Sequence, residues 1–208
     1  MSDGPENRDL ARRDPDVPPW WETIVKAGLA AIPQIGGPLS VLVADVATRD
    51  RARVTEVGMT AVEAAGSPEV LLAAVQRDER VADLLVTAAF AASQTSVEGK
   101  RRAMGRVVGR AAQDDAAIDE SQLMLRVLID LDAPEFNVLA RIADAGGDQD
   151  SARSIADGAP LPVASTLIRN GLVETVGTLG GGLAVVGLTP YGRSLLDFVQ
   201  EGDVEPDT

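Results

Sequence analysis

Leu188-Thr189-Pro190-Tyr191-Gly192-Arg193-Ser194-Leu195-Leu196 is the stretch on which the fold turns. A hydroxyl residue followed by proline marks a helix start. The threonine side chain caps free backbone N–H groups, and proline suits the first helical position. The helix it opens is predicted to run through Val199. Immediately upstream, residues 183–188 read as a strand, Gly180-Gly181-Gly182 as its turn and residues 172–178 as the opposing strand. Further back, Gly171 stops a predicted helix over 162–170. Before that come a short helix over about 151–157 and one over 134–145, closed by Gly146-Gly147.

Helix–helix–helix–hairpin–helix is the winged-helix order. The 188–196 stretch resembles the L-T-x-x-G-R-x-L-L sequence that closes the wing in MarR-like and PadR-like regulators. Arg169-Asn170-Gly171-Leu172-Val173 is similar to the end of their recognition helix, and the resemblance covers about a third of the chain. It implies that the second helix of the pair enters a major groove and that the wing lies near phosphates. Ser165, Thr166, Arg169 and Asn170 then become the contacts to nucleic acid or to another partner. The charge of the segment runs the other way. Between Phe136 and Asp197, Arg141, Arg153, Arg169 and Arg193 stand against Asp144, Asp148, Asp150, Asp157, Glu174 and Asp197, and the wing tip carries no Lys or Arg. A DNA reader shows a basic face, so these residues favour a protein partner over DNA.

Upstream of Pro134 the chain reads as helical. The whole sequence is 45% hydrophobic but only 3% aromatic, so its core is built from Ala, Val, Leu and Ile, which suits packed helices. Residues 1–19 are polar and acidic and are expected to lack stable structure. A first helix is predicted over 20–32, and Pro33, Gly36, Gly37 and Pro38 form a hairpin corner before a long helix from about 39 to 66. Residues 27–44 carry no charge and follow Trp20 and Trp21. As a single helix they would span about 27 Å, nearly a bilayer core. The corner splits them, which favours a hairpin packed inside the bundle over one inserted in a membrane. Similar hydrophobic corners occur in bacterial helical proteins.

Ser67-Pro68-Glu69 opens another helix, predicted as one segment carrying Leu71, Val75, Ala82, Leu85 and Ala89 on one side. Asp78 falls on that same stripe. Either it is buried and paired with an arginine or the helix breaks there, and the cost of an unpaired buried carboxylate favours the pair. The next helix, over 97–112, sets Met104, Val107, Val108 and Ala111 against Arg102, Arg106 and Arg110. Those arginines are either a solvent face ion-paired to the many acids, one arm reaching Asp78, or a site for an anion or acidic partner. The commonness of arginine faces favours the first. A last bundle helix, over 120–131 with Asp119 as cap and Gln122 completing a capping box, is apolar nearly all round. It is expected to be the most buried element.

These readings assemble into a mainly α protein: a helical bundle over 20–132 followed by a winged-helix domain with a small β-hairpin wing over 133–200. Acidic tails occupy 1–19 and 201–208. The chain holds no histidine and no cysteine, which removes imidazole and thiolate catalysis and metal sites built on either. No Walker loop, dinucleotide fingerprint or S-x-x-K spacing is present. Asp148 and Asp150 lack the downstream glutamate and the glycine of a calcium loop, leaving a solvated inter-helix loop as the better reading. No catalytic residue, cofactor or metal is therefore expected, and the chain is expected not to be an enzyme. A net charge of −13 repels DNA and anionic bilayers on average. The absence of an apolar leader core in the first residues suggests a cytoplasmic address. The leading expectation is a binding or adaptor protein with a protein partner. The alternatives are a DNA-binding regulator, with the bundle open to dimerisation that would supply two half-sites, and a membrane-active effector using residues 20–44.

Overall fold

A computed structural model of the chain describes residues 51–178 and 181–200. The expectations for residues 1–50, the corner of Pro33, Gly36, Gly37 and Pro38 included, and for 201–208 lie outside the described residues. The described part is mainly helical, with a small two-stranded antiparallel sheet late in the chain. Its elements are α1 (Arg51–Ala65), α2 (Pro68–Arg77), α3 (Glu79–Gln94), α4 (Glu98–Gln113), a short 3-10 turn (Asp115–Ala117), α5 (Ile118–Asp130), α6 (Ala133–Asp144), α7 (Gln149–Asp157), α8 (Leu161–Arg169), β1 (Val173–Gly177), β2 (Leu183–Leu188) and α9 (Pro190–Gln200). No helix among the described residues is long and apolar enough to cross a membrane.

The capping chemistry fixes several of these ends. Ser67 accepts from the Val70 N–H at 3.3 Å, with Pro68 at the first helical position. Gly66, Gly146 and Gly171 follow helices with φ of +87°, +63° and +66°, a region that favours glycine. The segment predicted as one helix from Ser67 onward is two. Asp78 closes α2 in an extended conformation and caps α3, its carboxylate accepting from the Arg80 N–H at 2.9 Å. A short side chain that bonds its own downstream backbone competes with the helix, and here the competition wins.

The most buried helix is α4, not α5 as the apolar content of 120–131 suggested. On α5, Leu123 and Ile129 are exposed. The reason lies in two glycines that break no helix. A Cβ on Gly105 would stand 2.6 Å from the Val57 carbonyl oxygen, and one on Gly109 would stand 2.5 Å from the Ala64 Cβ. Their bare backbones let α1 lie parallel against α4 at a distance no side chain would permit. Arg101 seals the contact by donating to Glu56 at 2.5 Å, and Arg53 donates to the Ser93 carbonyl at 3.0 Å. The start of α5 also differs from expectation. Asp119 lies inside its first turn and caps nothing, whereas Asp114 caps the preceding 3-10 turn through the Ala116 N–H at 2.9 Å.

The chain turns into its C-terminal segment at Asp132, whose N–H donates to Glu135 at 3.0 Å. From there α6, α7 and α8 lead into the hairpin and α9. The strands pair with Val173 opposite Leu188 and Gly177 opposite Leu183, with a bulge at Glu174/Thr175. Thr189 holds the far end: its hydroxyl donates to the Gly171 carbonyl at 2.7 Å and accepts from the Gly192 N–H at 2.9 Å. One apolar core runs continuously from Val54 through the bundle to Leu195 and Leu196.

Candidate partner-binding cleft

The arginine face of α4 is the first place to look for a site, and each of its three arginines is engaged. Arg102 pairs with Glu98 and, at 3.6 Å, with Glu56. Arg106 donates to the Phe198 carbonyl and stands 5.0 Å from the centre of that ring, tying α9 to α4. Arg110 pairs with Glu120 at 3.2 Å. The arginine face thus joins helices. Asp78 is paired, but with Arg80 at 2.8 Å and not with that face, and its side chain is 22% exposed, so it is not buried. The hydrogen bond from Arg80 holds its carboxyl below the usual range.

Lys100 stands two residues before Arg102 on the same helix. It is 3% exposed. Its ammonium donates to the carbonyls of Ile129 at 3.2 Å and Leu131 at 2.5 Å, and to Asp132 at 3.4 Å. Two of these acceptors are the orphan carbonyls at the end of α5, where the helix dipole also favours a cation. The three donors are thus spent on fastening α5 to the start of α6. Tyr191 is the other conspicuous polar group: burial pushes its phenol pKa up, and its hydroxyl has no hydrogen-bond partner among the described residues. Asp148 caps α7 and accepts from Ser151, which holds its carboxyl below the usual range. No cluster of acids among the described residues is arranged to hold a metal ion.

The four residues singled out on α8 do not act together. Arg169 pairs with Asp130 of the bundle at 3.4 Å. Asn170 turns back to donate to the Thr166 carbonyl at 3.0 Å, and Thr166 is half-buried. Ser165 alone lies exposed in a cleft, together with Ala156, Asp157 and Ala159 at the end of α7, Leu161, Ala164 and Ile168 of α8, and Leu183 and Val185 of β2. Leu161 is 78% exposed and Leu183 63%. They are the most exposed large apolar side chains among the described residues and stand at the rim of one cleft.

Helical spacing made this face legible, although neither leucine was singled out. Val163 and Leu167 form the buried stripe of α8. Leu161 is two residues from Val163, about 200° around the helix, and shares its side with Ser165 and Ile168. Leu183 directly follows the glycine turn. What the arrangement offers is an open apolar surface with one hydroxyl, one carboxylate and no cation. No family model, curated protein or solved structure matches the chain.

Proposed function

We propose that this chain is a non-enzymatic binding or adaptor protein, and that the segment from α6 to α9 is a winged-helix module turned to protein contacts. The observation that carries the reading is the cleft between α8 and β2. Leu161 and Leu183, 78% and 63% exposed, come together at one cleft, and apolar side chains gathered in one exposed patch rimmed by polar residues mark protein-interaction sites. The same face in a DNA-reading winged helix would need cations or several free hydrogen-bonding groups. Here it has Ser165, with Arg169 drawn toward Asp130. The net charge of −13 supports the same preference.

The test is a native pull-down on the full chain at low salt, read for both protein and nucleic acid. A stoichiometric protein partner lost on Leu161→Asp is the expected result. Nucleic acid retained in a salt-dependent way, and released by Arg169→Ala, would instead make the chain a DNA-binding regulator.

A further inference from the structure

The cleft is uniform in shape chemistry but not in charge. Of the residues that line it, Asp157 alone is ionisable. It ends α7, whose last turn contains no basic residue, so the carboxylate sits where helix carbonyls already concentrate negative potential. No described residue pairs with it: the arginines nearest in sequence, Arg153 and Arg169, have no bond to it, and Arg169 is taken by Asp130. Asp78, Asp115 and Asp130 at other helix ends are matched by Arg80, Arg77 and Arg169; Asp144, which ends α6, has no such partner among the described residues, but it does not line the cleft. An apolar cleft with one unmatched carboxylate at its edge is complementary to an apolar side chain with a cation beside it.

We infer that the cleft takes a protein segment carrying a bulky aliphatic or aromatic side chain with a lysine or arginine close to it in sequence. The inference rests on the protein-binding reading above and names the chemistry of the partner. The apolar side chain seats between Leu161 and Leu183 over Ala164 and Ile168, while the cation meets Asp157 at the end of α7. A second copy of this chain is a poor occupant, because two chains of net charge −13 repel one another. A nucleic acid is a poorer one, since its phosphates would face the carboxylate.

Panning a phage-displayed random peptide library against the immobilised full chain tests this directly. Leu161 and Asp157 are exposed, so substitutions there leave the core untouched, which circular dichroism checks. The expected peptides combine a large apolar residue with Lys or Arg. Leu161→Asp should weaken them at least about tenfold, and Asp157→Asn about two- to fivefold at low salt, as suits an exposed ion pair. Panning against the Asp157→Lys chain should exchange the basic residue for an acidic one, because the new like charge rejects the first set. Peptides that need Leu161 but are the same on Asp157→Lys would overturn the inference and leave the protein-binding reading standing. Peptides indifferent to Leu161, or no enrichment at all, would overturn both. Self-association in sedimentation that is lost with Leu161→Asp would make a second copy the occupant and overturn the inference.

Discussion

Gly192 packs so closely on Leu172 that a Cβ added to the glycine would lie 2.0 Å from the leucine's carbonyl oxygen. The neighbour is backbone, already accepting from the Thr189 N–H at 3.1 Å, and it has nowhere to go. This contact explains why the stretch from Leu188 to Leu196 carries glycine at its fifth position. It seats the first turn of α9 on the link between α8 and β1, next to the strands that wall the cleft. Gly192→Ala should therefore destabilise the protein by at least the about 1–3 kcal/mol typical of overpacking, despite alanine's better helix propensity. Urea unfolding followed by far-UV circular dichroism measures it. A variant as stable as the parent would show that α9 can slide.

Lys100 makes a second prediction. Lys100→Met keeps most of the stem and removes the ammonium, leaving the Ile129 and Leu131 carbonyls without the donor that now satisfies them. Orphaned buried acceptors cost about 1–3 kcal/mol, and the loss should appear as a lower urea midpoint with an unchanged slope. An unchanged midpoint would mean that water satisfies those carbonyls.

The break at Asp78 predicts a pH dependence. Its carboxyl is held below the ordinary value of 3.8 by the hydrogen bond and charge of Arg80. The folded-state pKa is depressed, so the stabilisation is complete above the ordinary carboxyl range and is lost as pH falls through the lower folded value. Asp78→Asn retains a capping oxygen but not the charge. The variant should be less stable than the parent at neutral pH, and the gap should close as both are titrated below the folded pKa. A gap that persists into strong acid would assign the effect to capping alone.

These residues also show what a single sequence discloses. Ser67-Pro68 and Thr189-Pro190 announce helix starts because capping is local chemistry, and the structure places α2 and α9 at those signals. The glycines after helices are legible for the same reason. The order of three helices, a hairpin and a helix follows from such signals one at a time. Asp78 was ambiguous because one residue satisfied both a periodic stripe and a break signal. The depth of α4 was hidden because it depends on which helix meets Gly105 and Gly109, and periodicity within one segment says nothing of its neighbour. Lys100 went unseen for a related reason: its acceptors lie about thirty residues away in sequence. The cleft was half legible. Leu161, Ser165 and Ile168 share a helix face by spacing alone, but only the fold brings Leu183 and Asp157 beside them.

The most direct test of the central claim places a photoreactive benzoylphenylalanine at Leu161, with the same residue at exposed Glu63 of α1 as a control. On irradiation in native extract, the Leu161 position should yield a discrete protein adduct, absent from the control and suppressed by adding Leu183→Asp. Adducts to nucleic acid, or the same adducts from both positions, would contradict the account.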